Sequence, residues 1–571
     1  MKKLLKFLKG YTKETILGPL FKLAEATLEL IVPLVIAAIV DKGILPEDKP
    51  YVVRVCLILV LLGAVGLGFS VTAQYFAAKA SVGFSAKLRH ALFIKIQGMS
   101  YTDIDTLGTS TMITRMTSDT NRVQNGLNLA LRLLLRSPFV VFGAMIMAFT
   151  IDSKAALTFA LVIPALSVIV FGIMLITMPM YKKVQGGTDR LLLTTRENLF
   201  GVRVIRAFRK EKDEINRFRS INESLTHSQM RVGRISSLMN PFTYIIINLA
   251  ILWLVDIGAW RVDAGILTQG EILALYNYMS QILVELIKLA NLIISITKAL
   301  ASASRVGTVL DMEVSEIHGN VTEGNSTVNS VEFCNVSLTY KGAGAPTLTE
   351  LNFTAKKGET VGIIGGTGSG KTSLVNLIPA LYPATEGKIL IDGVNVNDYS
   401  CEYLRAKIGI VPQNPVLFSG SIRDNLIWAK ENATDDEIYS ALEVAQAKDF
   451  VLDKGGLDAH IEQGGTNLSG GQKQRLTIAR ALVGNPDILI LDDSASALDF
   501  ATDAALRSAI GTLDGSKTVF IVSQRTSSIM HADKIIVLDD GAAVGIGTHA
   551  ELLENCEIYR EIYDSQFRKG V

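Results

Sequence analysis

The sequence predicts a multi-domain membrane protein, with an all-α N-terminal domain of six membrane-crossing helices and a C-terminal α/β domain. Three observations carry this. Six long apolar stretches lie before residue 300, at about 16–40, 55–78, 126–150, 155–180, 238–260 and 272–298, each near or above the roughly 20 residues that cross a bilayer as a helix. Beyond residue 310 none recurs, and short β-branched runs such as TVGIIG, ILILD and TVFIVS alternate with helical patterns. Between the two regions, EVSEIHGNVTEGNSTVNS is polar and rich in turn formers. The expected domains are therefore 1–310 and 329–571, with a linker at 311–328.

Composition agrees. Of 571 residues, 49% are hydrophobic and 19% charged, where a soluble domain carries about 25% charge. Lysine plus arginine is 56 against 55 acidic residues, net +1, which removes the basic footprint of a nucleic-acid binder. Cys56, Cys334, Cys401 and Cys556 are scattered, with no CxxC pair. A disulfide framework or zinc site is not expected, and a reducing compartment fits.

In chain order, MKKLLKFLKGYTKET has lysines interrupting its apolar run. That pattern suits an amphipathic helix on the inner membrane face better than a signal peptide. CLILVLLGAVGLGFSV and LTFALVIPALSVIVFGIMLITM make the second and fourth spans unambiguous, whereas the first and sixth carry charges. The loops around 79–122 and 182–234 are basic, with Lys87, Arg89, Lys95, Arg115, Lys182, Lys183, Arg203, Arg206 and Arg209. The positive-inside rule puts them, and with six crossings both termini, in the cytoplasm. These long loops are helix-patterned, so helices should continue beyond the bilayer.

The C-terminal domain carries the chemistry. GGTGSGKT fits G-x-x-x-x-G-K-[ST] between a strand pattern and a helix pattern. In such a P-loop, Gly365, Gly366, Thr367, Gly368, Ser369 and Gly370 let backbone N–H groups approach phosphate oxygens. Lys371 should reach the terminal phosphates of ATP, and Thr372, followed by Ser373, should ligate Mg²⁺. ILILDD is a buried-strand pattern ending in two acids, of which Asp492 fits a carboxylate assisting Mg²⁺.

Between these motifs stands LSGGQKQR, and here the chain resembles the ATP-binding cassette (ABC) family, whose signature is LSGGQ. Further resemblances follow in order: Tyr340 in VSLTY, implying adenine stacking; Gln413 in VPQNPVLFSGSIRDNL, implying a metal and water contact; and SALD, ending in Asp499, the D-loop. Upstream, TMITRMTSDTNRVQ, RENLFGVRVIRAF and ASASRVGTVLD look like the membrane half of an exporter half-transporter, so the likeness covers nearly the whole chain. It implies an ATP hydrolase coupled to transport, multi-pass in the cytoplasmic membrane of a bacterium, and two half-transporters closing head to tail. Each ATP would lie between one chain's P-loop and the other's signature, here Leu468, Ser469, Gly470, Gly471 and Gln472.

Two positions depart from the family pattern. Asp493 stands where a glutamate polarises the attacking water, and Gln524 where a histidine is usual. Neither His90, His227, His318, His460, His531 nor His549 fills that place. With the signature intact, the resemblance implies the degenerate-site subunit of a heterodimeric multidrug exporter, its partner a homologous half-transporter with the glutamate and histidine. A slow homodimer is the alternative. The expected cargo is an amphipathic small molecule; a lipid or lipid-linked substrate, or a peptide or metabolite, would use the same engine. Ionisable groups in hydrocarbon are functional candidates, so Glu285 and Glu29, with Tyr276, are the candidate cavity residues. Local pairing of Lys22 with Glu25 and of Lys288 with Glu285 is the alternative reading.

Overall fold

The computed structural model describes residues 4–312, 319–325, 329–513 and 516–567. Much of the expected linker, including His318, lies outside the described residues. The chain divides into two compact units, 1–97 with 110–312, and 98–109 with 313–571.

In the first unit the described residues contain six helices long and apolar enough to cross a membrane. In chain order the helices are α1 (Thr12–Ile44), α2 (Lys49–Gln97), the short α3 (Tyr101–Leu107), which groups with the second unit, and α4 (Thr109–Ile151). Then come α5 (Ser153–Phe200), the short α6 (Val202–Ala207), α7 (Glu211–Asp263) and α8 (Gln269–Asp311). At 1.5 Å per residue the 48 residues of α5 span about 72 Å, over twice the roughly 30 Å hydrocarbon core. The helices do continue past the apolar stretches. Helix starts are capped: Asp152 accepts from the Ala155 N–H at 2.8 Å, and Thr268 and Glu271 form a reciprocal box ahead of α8.

The membrane core forms where small residues let helices approach. An added Cβ at Gly126 would lie 2.1 Å from the Ala299 Cβ, and one at Gly270 would lie 2.3 Å from the Ala37 carbonyl. Asp41 accepts from the Gly270 N–H at 2.8 Å and the Thr268 hydroxyl at 2.6 Å, tying the end of α1 to the start of α8. The buried Tyr278 donates to the Leu30 carbonyl at 2.5 Å.

The N-terminal expectation needs correcting. Instead of an amphipathic helix, Leu4–Leu8 forms one 3₁₀ turn, and Gly10 at φ 98° breaks the chain before α1. Lys87 of α2 holds the turn, donating to the Lys9 carbonyl at 2.7 Å above the Tyr11 ring.

The second unit holds two main sheets. One has order β2-β1-β4-β5, built from β1 (Asn329–Leu338), β2 (Leu348–Lys356), β4 (Glu386–Ile391) and β5 (Val394–Asn395). The other contains β3 (Thr360–Gly365), β6 (Ile408–Val411), β9 (Ile488–Asp492), β10 (Thr518–Val522), β11 (Lys534–Asp539) and β12 (Ala542–Gly547), in order β12-β11-β3-β10-β9-β6. Two-residue strands β7 (Gly420–Ser421) and β8 (His460–Ile461) pair separately. The pairings β11–β3–β10–β9–β6 are all parallel, so β3, β10 and β9 release their following loops at one edge. A single cut near residue 310 misses one feature: 98–109 groups with the second unit because the Tyr101 ring packs 5.9 Å from that of Tyr382, which donates to Asp105 at 2.7 Å.

Gly126→Val should lower the thermal stability of the solubilised protein by about 1–3 kcal/mol through overpacking. Gly63→Ala, where nothing lies within 4 Å of the added carbon, should be neutral. Equal melting temperatures for the two variants would contradict the packing.

Candidate functional site

At that sheet edge a cavity of about 340 Å³ gathers Thr367, Gly368, Gly370, Lys371, Thr372, Ser373, Gln413, Asp492, Asp493 and Gln524, residues far apart along the chain. β3 leads into the glycine loop. Gly368 and Gly370 have φ of 87° and 95°, and a side chain at Gly370 would also strike Leu348. Helix α9 (Lys371–Leu377) follows. Gly365 and Gly366 are represented by their carbonyls, which accept from the Lys371 ammonium at 2.9 and 2.6 Å, and the Ser369 hydroxyl stands 3.4 Å from it. The loop thus curls around its own lysine.

The acids arrive from β9. The Thr372 hydroxyl donates to Asp492 at 3.2 Å and the Gln413 amide to Asp493 at 3.3 Å. Asp493 adopts a left-handed backbone, φ 45°, held by its N–H to the Val522 carbonyl at 3.0 Å. Burial pushes both carboxyls up, and burial pushes the Lys371 ammonium down against the opposing pull of Asp493 and Asp492. A hydroxyl, a buried carboxylate and an amide oxygen are hard oxygen donors of the kind Mg²⁺ takes beside substrate phosphates. The residues fit that ion: Thr372, Asp492 and Gln413 would hold it, and Lys371 would face the phosphates.

Tyr340 lies beside this cavity, its hydroxyl donating to Ser373 at 2.9 Å. The signature is built elsewhere. Ser469 caps α10 (Gly470–Val483) in a reciprocal box with Gln472, Leu468 is buried beneath, and Ser469 and Gly470 are exposed. An added Cβ at Gly471 would lie 3.1 Å from the Ala497 carbonyl, so α10 abuts the loop that ends in Asp499, itself the N-cap of α11 (Phe500–Gly511). None of Leu468–Gln472 lines the cavity, so the two halves of the expected site are not brought together within this chain.

Several contributors escaped sequence reasoning. Tyr382 meets Tyr340 edge-on at 5.1 Å while bonded to Asp105 of α3. Gln566 of α12 (Glu557–Phe567) brackets the loop after β10, donating to the Gln524 carbonyl and accepting from the Thr526 N–H, both at 2.8 Å. A tyrosine and a glutamine without motif context give no signal in one sequence. In the membrane helices, Glu285 is not a free carboxylate: Arg136 at 2.6 Å, Lys288 at 2.8 Å and Ser137 at 2.8 Å all donate to it. Glu29 accepts from the same Arg136 at 2.5 Å. Tyr276 is half-exposed and does not line the cavity beside these two acids. The Lys22–Glu25 pairing is present.

Residues 15–286 match the family model of the ABC transporter transmembrane region, and residues 348–496 the family model described as ABC transporter. The chain is 37% identical to the uncharacterized ABC transporter ATP-binding protein YfiB of Bacillus subtilis, covering 100% of this chain and 99% of the relative. It is 34% identical to a probable multidrug resistance ABC transporter, YheI of Bacillus subtilis, over 89% of this chain and 88% of that one. An ATP-dependent lipid A-core flippase of Syntrophus aciditrophicus is 32% identical over 85% and 80%. Among solved structures, a bacterial Atm1-family ABC exporter with ATP bound superposes with a TM-score of 0.78 at 24% identity, covering 99% of both chains, which supports the fold.

Lys371→Ala should weaken ATP binding at this chain's own cavity by at least about tenfold, since a charge-assisted contact to phosphate is lost. Tyr340→Ala should have a smaller effect in the same direction. Titration with a fluorescent ATP analogue reads both; unchanged affinity in Lys371→Ala would contradict the assignment.

Proposed function

The chain belongs to the ABC transporters, as an exporter-type half-transporter whose ATPase domain drives transport across a membrane, and we propose that it exports amphipathic small molecules as one half of a heterodimer. In this reading the two chains sit in the cytoplasmic membrane with their ATPase domains in the cytoplasm. Half-transporters of this family dimerise. The separation of Leu468–Gln472 from the cavity of Lys371 supports the need for a second chain, because each half-site must be completed from outside.

The observation that carries the heterodimer is Asp493 and Gln524 together in one cavity beside an otherwise complete set of phosphate and metal residues. An aspartate is one methylene, about 1.5 Å, shorter than a glutamate, and misplacement of about 1 Å can cost roughly 100-fold in rate. The Gln413 amide already occupies one oxygen of Asp493, which further reduces its ability to orient water. Gln524 offers hydrogen bonds to a phosphate but never a cation near neutral pH. Bound Mg²⁺ would neutralise charge on the phosphate oxygens; Lys371, Thr372 and Asp492 are present for binding, so this cavity should hold ATP and hydrolyse it slowly. The intact cap of Ser469 on α10 is then free to serve the partner's cavity, where a glutamate and a histidine complete hydrolysis.

Amphipathic cargo is supported by the multidrug relative. The flippase relative favours a second reading, movement of a lipid-linked molecule by the same engine.

In the complex purified from native membranes with its partner, Asp493→Asn should change ATP turnover by no more than about twofold. Ser469→Ala should lower it by about 100-fold or more, as expected for removing a preorganised donor to the reacting phosphate. A homodimer of this chain transporting at rates comparable to the complex, or loss of turnover in Asp493→Asn, would overturn the reading.

A further inference from the structure

Within the membrane helices, three segments meet at a buried ionic cluster. Arg136 of α4, 7% exposed, donates one nitrogen to Glu29 of α1 at 2.5 Å and the other to Glu285 of α8 at 2.6 Å. Glu285, 2% exposed, also accepts from Lys288 and Ser137. Both of its oxygens accept hydrogen bonds, one from Arg136 and Lys288 and the other from Ser137, and the four charges of the cluster sum to zero. Beside it, between α1 and α8, lies a cavity of about 350 Å³, within the roughly 300–1,000 Å³ of small-molecule sites.

The groups facing that cavity are not all spent. The Lys288 ammonium has three donors, of which one reaches Glu285, and its side chain is 45% exposed. Glu29 gives Arg136 one oxygen and is 38% exposed. The Gln281 carbonyl oxygen, also on this wall, is buried without a hydrogen-bond partner among the described residues. Val32, Ile36 and Val284 supply an apolar lining alongside.

We propose that this cavity binds amphiphiles with a zwitterionic head, the anionic group on Lys288, the cationic group on the free oxygen of Glu29, and the tail along the valine and isoleucine side chains. This rests on the export reading above and names its cargo class. A lone cation can use only the free oxygen of Glu29 and leaves the spare donors of Lys288 unanswered, while reaching Glu285 would mean displacing the buried Arg136. A lone anion can use only the spare donors of Lys288 and leaves the free oxygen of Glu29 unanswered. A zwitterion satisfies both free groups and leaves the cluster intact, and a polar atom in the ligand would also answer Gln281.

The test uses the full chain in maltoside micelles without nucleotide, and three fluorescent probes with the same alkyl tail and a sulfobetaine, trimethylammonium or sulfonate head. The sulfobetaine should bind about tenfold tighter than either singly charged probe, as expected for one additional close ionic contact. Lys288→Gln, at a half-exposed position, should make the cationic probe the best ligand, and Glu29→Gln should make the anionic probe the best. A wild-type preference for the cation or the anion, weak binding of all three, or a head-group order unchanged in both variants would overturn the proposal. Probes ranking as expected in a complex that moves no cargo with ATP would instead count against the export reading.

Discussion

Parallel pairing of β3, β10 and β9 is the constraint on which the ATPase chemistry depends. Parallel strands end on the same side, so the glycine loop after β3, the acids at the end of β9 and the loop after β10 must converge. Lys371, Asp492, Asp493 and Gln524 are far apart in sequence and share one cavity for this reason alone. The same geometry leaves α10 outside that cavity, so the signature does not line its own chain's phosphate site. A site divided in this way makes the two halves of an ATPase pair separable in evolution. In the proposed heterodimer, this chain carries Asp493 where a glutamate would orient water and keeps the signature that its partner needs.

The membrane helices obey a different constraint. Hydrocarbon offers backbone groups no alternative partners, so the chain crosses it as helices, and polar side chains must find each other. The Arg136 cluster is the outcome, joining α1, α4 and α8 through one guanidinium. Close approach at Gly126 and Gly270 brings the helices near enough for such bonds.

Much of this was legible in the sequence. Hydropathy located all six membrane helices because the bilayer imposes a minimum length, and the glycine loop was legible because its spacing is set by phosphate geometry. The pairs Lys22–Glu25 and Lys288–Glu285 were foreseen as local alternatives because they lie one turn apart. Arg136 went unnoticed inside an apolar stretch, and with it the reason Glu285 is not free. Its partners are 107 and 149 residues away, beyond any local pattern. Tyr382 and Gln566 are equally illegible, since their roles exist only through contacts with Asp105, Tyr340 and the loop after β10. The N-terminal segment was misread because its apolar and basic residues suit an amphipathic helix, whereas the break at Gly10 depends on docking to α2.

The central claim is that this chain's own cavity retains ATP while its partner's hydrolyses it. The most direct measurement loads the two-chain complex with a radiolabelled, photo-crosslinkable ATP analogue, allows turnover, cross-links with light, and identifies the nucleotide attached to each chain. The account predicts triphosphate on this chain and diphosphate on the partner. Diphosphate in equal proportion on both chains would contradict it.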